Sequence, residues 1–142
     1  MSNTRSKGEL SFQRHIIDCL CSDPHWSERK AKTDYDREHA VDRGMLEAFL
    51  AETQPDALDS LRRTYGDRAL DVVIAEYERA CRSKGTAQVD VLRSGVDVGS
   101  VHIDLLYGKP ASGLNPDLTR KYGENRLSVM EEVWIDDDSR ID

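Results

Sequence analysis

Four residues that could ligate a metal ion through nitrogen and sulfur lie close together near the start of this chain. His15, Cys19, Cys21 and His25 supply imidazole and thiol groups, and His15 lies one helical turn before Cys19. Zinc sites more often use Cys-x-x-Cys loops, and Cys19 and Cys21 would point to different faces of a helix. We therefore weigh a structural zinc ion only as the alternative to an ordinary helix surface.

Two segments have carboxylates that could bind a divalent cation through oxygen. Glu28–Lys30 places a carboxylate and an ammonium group two residues apart, but its neighbours lack the apolar alternation that would put both on one strand face. We interpret residues 22–38 as a charged connector anchored by Trp26 and Tyr35. We interpret Asp136–Asp138 as a turn of solvated carboxylates between strands.

Charge and composition limit what the isolated chain can bind. The 142 residues carry a formal net charge of −7, which repels nucleic acid on average, because phosphate binding normally needs clustered Lys and Arg. The best local basic set is Lys109, Arg120, Lys121 and Arg126, and we treat these residues as candidates for contacting a DNA backbone. The odd number of cysteines, three, indicates no disulfide framework.

Targeting, membrane and nucleotide signals are missing from the sequence. No apolar run approaches the length of about 18 residues needed to cross a bilayer, and the first residues lack the features of a secretory signal. Residues 109–116 lack the Gly-x4-Gly-Lys-Ser/Thr spacing of a phosphate-binding loop, so the sequence shows no ATP site. These observations predict a cytoplasmic protein with no membrane partner.

The elements that must position these side chains begin with an amphipathic helix. Apolar residues recur at helical spacing from Phe12 to Leu20 and predict a helix over residues 7–20. Ser6 and Glu9 have the spacing of a capping box, in which each side chain accepts from the backbone amide of the other residue.

A helical insert is predicted over residues 42–84. Asp42 can cap a first helix that ends before Pro55, and the same proline suits the first turn of a second helix. A third apolar face runs from Leu70 to Cys81 and is followed by a terminating glycine.

The pattern then changes to the period of half-buried strands. Apolar and polar residues alternate in Val89–Val91, in Val101–Leu105 and from Leu127 to Ile135. The fold class is therefore predicted as α+β, a helical insert followed by antiparallel strands. We expect a single, incomplete domain over residues 1–142, with its strand-rich part over residues 88–142.

Turn residues and one more helix connect these strands. Ser94-Gly95 and Gly99-Ser100 supply turn chemistry on either side of residues 96–98. Lys109–Pro116 is predicted as a loop held by two prolines, and Asp117–Tyr122 as a short helix.

The order and spacing of five sequence pieces resemble the amino-terminal region of type I restriction enzyme R subunits, the ATP-dependent DNA-translocating endonuclease chains. The most specific piece is KPASGLNPDLTRKYGENRLSV from Lys109 to Val129, in which a PASGLNP loop is followed by a tyrosine and an NRL strand. The other pieces are GELSFQRHIIDCL near the start, YDRE at Tyr35–Glu38, ETQPDAL at Glu52–Leu58 and DVLRSGV at Asp90–Val96. The resemblance covers nearly the whole chain.

The resemblance implies an incomplete restriction-endonuclease-like core of the PD-(D/E)xK type, which is an α/β/α fold. By position, Asp142 matches the strand Asp and Glu9 the helix Glu that bind Mg²⁺ in such a nuclease, where the metal neutralises developing charge and activates water. The Glu-x-Lys of the next strand has no counterpart before the chain ends. We therefore predict that the 142-residue chain alone has no nuclease activity.

The resemblance also implies partners and cofactors for the complete subunit. Such a subunit would cleave duplex DNA with Mg²⁺, coupled to ATP-driven translocation by a motor in a later part, and would work with a methyltransferase assembly. We expect that the chain is cut inside its fold, and that unpaired strands over residues 125–135 and 140–142 leave an open sheet edge. The alternative is a non-catalytic protein-binding module that docks through its helical region, residues 42–84.

Overall fold

A computed structural model describes residues 7–83, 85 and 87–131, which form helices and short strands. The helices are α1 (Lys7–Cys21), α2 (Ala31–Asp34), α3 (Arg43–Thr53), α4 (Pro55–Tyr65), α5 (Ala69–Cys81), α6 (Gln88–Ser94) and α7 (Pro116–Gly123), with a 3-10 turn at Gly66–Arg68. The strands are β1 (Trp26–Glu28), β2 (Val96–Val98), β3 (Val101–Ile103) and β4 (Leu127–Val129). This mixture agrees with the predicted α+β class, whereas the restriction-endonuclease-like core stays a prediction.

The chain divides into two compact units. Unit 1 comprises Met1–Ala40 and Arg126–Asp142, and unit 2 comprises Val41–Asn125. Unit 1 therefore holds α1, β1, α2 and β4, and unit 2 holds the remaining helices and the strands β2 and β3. The sequence prediction of one incomplete domain stays a prediction.

Unit 1 is built on a parallel strand pair. β1 and β4 pair in register, with Glu28 opposite Val129. The His25 carbonyl accepts from the Leu127 amide at 3.0 Å, and the Arg29 amide donates to the Val129 carbonyl at 3.0 Å, so the ladder extends past both ends of β1. A parallel pair needs a long crossover connection, and here the whole of unit 2 lies between the two strands in the sequence.

Two sequence predictions about these segments are wrong. Residues 22–38 are not a connector throughout, because they contain β1 and α2. The strand expected near residue 125 is not unpaired, because Leu127–Val129 pairs with β1. The cause is the brevity of β1: with Trp26 half-buried and the next two residues exposed, three positions are too few for an alternation to be detected. Of the rest of the expected open edge, residues 132–135 and 140–142 lie outside the described residues.

The first helices of unit 2 begin where their sequence signals place them. The Asp42 carboxylate accepts from the Met45 amide at 3.1 Å and caps α3. Pro55 is the first residue of α4, a position at which its missing N–H group costs no helical hydrogen bond. The predicted helices over residues 42–84 are confirmed as α3, α4 and α5.

One predicted strand is a helix. Val89–Val91 belongs to α6, in which Val91 is buried while Val89 is 52 % exposed. Residues two apart point to nearly opposite sides of a helix as well as of a strand, so a three-residue alternation fits both structures. Gly95 decides between them: its amide donates to the Val91 carbonyl at 2.9 Å, and its φ of 73° suits the glycine that ends a helix.

The hairpin β2–β3 closes the core of unit 2. Val98 pairs with Val101 across the two-residue turn Gly99-Ser100, and Gly99 has a φ of 61°, as expected at the first central position of a type II′ turn. The turn is confirmed, but β2 was not predicted and β3 is shorter than Val101–Leu105. The hairpin packs on α4 and α5, and the side chains with under 2 % exposure are Leu50, Leu61, Val73, Ile74 and Ile103.

The loop and helix before β4 also follow the sequence. Asn115 caps α7, since its side-chain oxygen accepts from the amides of Asp117 at 3.1 Å and Leu118 at 3.3 Å. Pro116 occupies the first turn of the helix. The predicted loop is confirmed up to Asn115, and the helix predicted over Asp117–Tyr122 is confirmed within α7.

Candidate functional site

The predicted Mg²⁺ ligands lie at the two ends of the chain. Glu9 lies in the first turn of α1 with its side chain exposed. Asp142 lies outside the described residues, as do Ser6 of the predicted capping box and Asp136–Asp138. The structure thus gives the position of one of the two carboxylates, and their pairing stays a prediction.

Two of the four candidate DNA-binding residues lie together on α7. Arg120 Nη2 is 3.2 Å from Asp117 Oδ1, and Lys121 Nζ is 3.4 Å from Asp117 Oδ2. The hydrogen bonds from Arg120 and then from Lys121 hold the pKa of Asp117 below its usual value. Lys121 Nζ also lies 5.6 Å from the centroid of the Tyr107 ring. Because one carboxylate contacts both cations, it offsets part of the positive charge that α7 presents.

The other two candidates lie apart from this helix in the sequence. Lys109 is exposed in the loop that precedes α7, in unit 2. Arg126 is exposed immediately before β4, and it belongs to unit 1. Among the described residues, the four cations are therefore divided between the two units rather than gathered within one.

The histidines and cysteines near the start form two separate pairs. His15 Nε2 lies 3.5 Å from Cys19 Sγ, one helical turn apart on α1. His25 Nδ1 lies 2.9 Å from Asp23 Oδ1, and the same carboxylate accepts from the His25 amide at 2.8 Å, which lowers the pKa of Asp23. Within residues 7–83, 85 and 87–131, no three His, Cys, Asp or Glu side chains converge as a metal site.

A cluster that sequence reasoning missed lies on the hairpin of unit 2. His102 Nδ1 is 2.7 Å from Asp97 Oδ1, and His102 Nε2 is 3.2 Å from Asp104 Oδ1. The Tyr107 hydroxyl donates to Asp104 Oδ2 at 3.4 Å. We call His102, Asp97 and Asp104 the hairpin cluster. Both ring nitrogens face a carboxylate, so both bonds form only when the imidazole carries two protons.

The backbone around the hairpin cluster is fixed by a polar clasp. The Gln54 side chain accepts from the Asp104 amide at 2.7 Å and donates to the Asp104 carbonyl at 2.8 Å. Gln54 lies between α3 and α4, so the clasp ties the end of the hairpin to the helical insert. Gly95 is also required here, because a Cβ at this position would fall on the Ile103 carbonyl and 2.9 Å from His102 Nε2.

The two carboxylates favour the charged form of His102. The hydrogen bond to Asp97 raises the pKa of His102, the attraction of both aspartates acts in the same direction, and partial burial opposes it. An imidazolium held in this way joins the two strands of the hairpin through Asp97. It does not present a free ring nitrogen to a metal ion while both N–H groups are engaged.

One sequence signal could have found this cluster. A two-residue turn at Gly99-Ser100 sets the register of the flanking strands, and that register places Asp97 directly opposite His102. Asp104 then follows His102 by two residues, on the same face of an extended strand. The turn was recognised, but β2 was not, and so the opposing aspartate was overlooked.

Comparison with known proteins does not identify this chain: no protein-family model, no curated protein and no solved structure matches it. In the part of the chain that the structure describes, every helix is too short or too polar to span a bilayer.

Proposed function

We propose that this chain is the amino-terminal part of a type I restriction R subunit, whose complete form cleaves duplex DNA with Mg²⁺ in a reaction coupled to ATP-driven translocation. The observation that carries the proposal is the segment from Lys109 to Val129, which has the PASGLNP loop, the tyrosine and the NRL strand in the order of that family. The methyltransferase assembly of a type I restriction system would be the partner of the complete enzyme.

The local structure of unit 1 supports this proposal. A nuclease core of the α/β/α type needs a helix beside a sheet, and α1 precedes β1 in a unit that contains a parallel strand pair. α1 buries Ile17 but leaves Leu10, Phe12 and Ile16 exposed by 49 %, 65 % and 42 %. A helix with this much exposed apolar surface suits packing against a sheet larger than the two described strands.

The donors fit the chemistry of the proposed metal. Mg²⁺ prefers oxygen ligands and takes one or two protein carboxylates while keeping several waters. Glu9 offers an exposed carboxylate on α1, and Asp142 would supply the second. When bound, Mg²⁺ would neutralise charge on the scissile phosphate and activate water. The cations Lys109, Arg120, Lys121 and Arg126 would contact the DNA backbone, and ATP would bind the motor of the complete subunit.

The test is to join the chain to the reading frame encoded directly downstream of its gene. The proposal expects that frame to contain an apolar strand, an Asn-Gly turn and a Glu-x-Lys pair. The extended protein should cleave plasmid DNA with Mg²⁺. Replacing a residue that only orients a metal ligand typically costs about 10–100-fold in activity, and Asp142→Asn or Glu9→Gln should reduce the cleavage rate by more than that. Glu124→Gln, outside the proposed set, is the matched control.

Two results would count against the proposal. One is Mg²⁺-dependent cleavage by the pure 142-residue chain, since that chain lacks the Glu-x-Lys pair of the set. The other is a downstream sequence without any remnant of the second strand. Equal cleavage by the extended protein and its Glu9→Gln variant would remove Glu9 from the ligand set.

The alternative of a binding module that docks through residues 42–84 gains little from the structure. The apolar side chains of α3, α4 and α5 face the core of unit 2, where Leu50, Leu61 and Val73 are buried. Tyr65 at the end of α4 is the large apolar residue of these helices with substantial exposure, 40 %. A docking face normally needs a wider apolar patch than one side chain.

A further inference from the structure

A cleft in unit 1 contains cations that none of the predicted sites uses. It lies beside the end of β1 and α2 and has a volume of about 560 Å³, within the range of small-ligand sites. Four cationic side chains and one aromatic ring line it: Arg29, Lys30, Lys32, Arg37 and Tyr35. We call this feature the unit 1 cleft.

Two of these cations have their charge available. Lys30 and Lys32 are exposed, and within the described part of the chain neither ammonium group forms an ion pair with a carboxylate. Arg29 differs, because its Nη2 lies 3.5 Å from Asp34 Oδ1. The two lysines are therefore the groups best placed to meet an anionic ligand.

The negative charge of the carboxylates in the cleft is partly offset by an arginine that lies outside it. Glu28 and Glu131 also line the cleft. Glu28 Oε2 lies 2.7 Å from Arg14 Nη2, and this hydrogen bond raises the pKa of Arg14, an effect to which the charge of Glu131 adds. Arg14 does not line the cleft, so it offsets acidic charge without occupying the space between the lysines and Tyr35.

We propose that the unit 1 cleft binds a single-stranded nucleic acid, with phosphates on Lys30 and Lys32 and a base stacked on the Tyr35 ring. A basic groove with an aromatic platform is the arrangement that binds single strands without sequence preference. The single strand is favoured over the duplex because a paired, stacked base cannot offer its face to the ring. None of these residues belongs to the proposed nuclease set, so the proposal goes beyond that function.

The first measurement is the salt dependence of binding. A short fluorescent oligonucleotide is titrated with the 142-residue chain in EDTA, and anisotropy is read at several salt concentrations. Two phosphate contacts give a slope of about −1.4 in log K against log[salt], so the affinity falls about sevenfold between about 50 and 200 mM salt. Lys32→Gln or Lys30→Gln should halve this slope, so that the affinity falls only about threefold over the same range of salt concentration.

The matched control keeps the same unit and the same charge change. Lys7 is exposed on α1 and does not line the cleft, so Lys7→Gln should retain the sevenfold loss. Both lysines of the cleft are exposed, so their replacement should leave the packing of the unit unchanged. Far-UV circular dichroism of each variant checks that the fold is retained.

The second measurement tests stacking. Tyr35→Phe keeps the ring and should bind as the unmodified chain does, whereas Tyr35→Leu should weaken binding by about fivefold or more. A duplex of the same sequence should bind more weakly than the single strand. Inorganic phosphate at an equal concentration of phosphate groups should fail to displace the oligonucleotide, because it offers no base.

Three outcomes would overturn the proposal. The first is an unchanged salt slope in both lysine variants, and the second is equal affinity for the duplex. The third is displacement by inorganic phosphate, which would assign the cleft to a small anion. Because EDTA prevents metal-dependent cleavage, none of these results depends on whether the nuclease proposal holds.

Discussion

The two units of this chain differ in how they are held together. In unit 2, side chains from α3, α4, α5, α6 and the hairpin enclose an apolar core. In unit 1, Ile17 is the buried hydrophobic residue among the described positions. The elements of this unit are connected by the hydrogen bonds of the β1–β4 ladder and by ion pairs such as Arg14–Glu28. Burial of apolar surface is the larger stabilising effect, since exposed ion pairs contribute about 0–1 kcal/mol each.

This difference explains where each unit carries its polar groups. Unit 2 positions the hairpin cluster on a strand pair whose other face is buried, so His102 and its aspartates are held by packing as well as by hydrogen bonds. Unit 1 presents its charged groups around an open cleft. The comparison predicts that substitutions in the core and hairpin of unit 2 act mainly on stability and that substitutions in the unit 1 cleft act mainly on binding.

The largest expected effect comes from the core of unit 2. Leu61 is 1 % exposed, and Leu61→Ala should lower the free energy of unfolding by about 4–5 kcal/mol, the upper part of the range for buried leucine. Ile17 is also buried, but Leu10 and Ile16 beside it on α1 are exposed, so the site can relax around a cavity. Ile17→Ala should therefore cost about 2 kcal/mol.

Hydrogen exchange followed by mass spectrometry separates these two effects, because peptides from each unit are read independently. Leu61→Ala is scored on peptides of unit 2 and Ile17→Ala on peptides of unit 1. Leu118→Ala, at a position that is 47 % exposed on α7, is the control and should stay within about 0.5 kcal/mol. Equal losses for the two core variants would contradict the contrast between the units.

A second prediction compares two glycines of unit 2 that share a left-handed backbone. Gly95 has a φ of 73° and Gly99 a φ of 61°, but a Cβ meets the Ile103 carbonyl at Gly95 and open space at Gly99. Gly99→Ala should cost about 1 kcal/mol from backbone strain alone. Gly95→Ala should cost about 3 kcal/mol, because either the hairpin or the end of α6 must also move. Urea unfolding of both variants measures the difference, and equal costs would show that the close approach is relieved elsewhere.

The third prediction concerns the clasp between the helices and the hairpin. Gln54→Ala removes both hydrogen bonds to the Asp104 backbone and should cost about 1–3 kcal/mol, since a partly buried amide and carbonyl lose their partner. Gln54→Glu keeps the acceptor for the Asp104 amide but turns a donor into a second acceptor facing the carbonyl. Gln54→Glu should therefore lower the free energy of unfolding at neutral pH, and part of that loss should be recovered when the glutamate is protonated. A pH-independent loss in Gln54→Glu would argue against this geometry.

The sequence predicted the elements that carry strong local signals. Asp42 and Pro55 mark helix starts by their own chemistry, and α3 and α4 begin there. The helix predicted from Asp117 begins one residue earlier, at Pro116. Such signals depend on a few neighbouring residues and do not require knowledge of the rest of the chain.

The rest depended on residues outside the segment whose pattern was interpreted. β1 has three residues and is recognised by its pairing with β4, which lies about a hundred residues later. Val89–Val91 has a strand-like alternation, but the hydrogen bond from the Gly95 amide to the Val91 carbonyl shows that this segment is the end of a helix. The hairpin cluster was missed for the same reason, because finding it requires β2. The nuclease residues were predicted from a resemblance, and one of them, Asp142, lies outside the described residues.

The smallest expected effect is the pH dependence of the hairpin cluster. The pKa of His102 is raised above its ordinary value of 6.5 in the folded chain, so protonation favours folding. The stabilisation is fully present below about pH 6.5 and is lost as the pH rises through the folded value. Because the His102 side chain is 49 % exposed, solvent screening limits the effect to about 0.5 kcal/mol.

The measurement is the free energy of unfolding of unit 2 across this window, for the unmodified chain and for His102→Gln. The variant keeps Asp97 and Asp104, so any slope that the carboxylates cause is present in both proteins and subtracts out. Stability should fall with rising pH in the unmodified chain and change less in the variant, since glutamine does not titrate. If both proteins show the same slope, the imidazolium bridge does not hold the hairpin, which is then held by packing against α4 and α5 and by the Gln54 clasp.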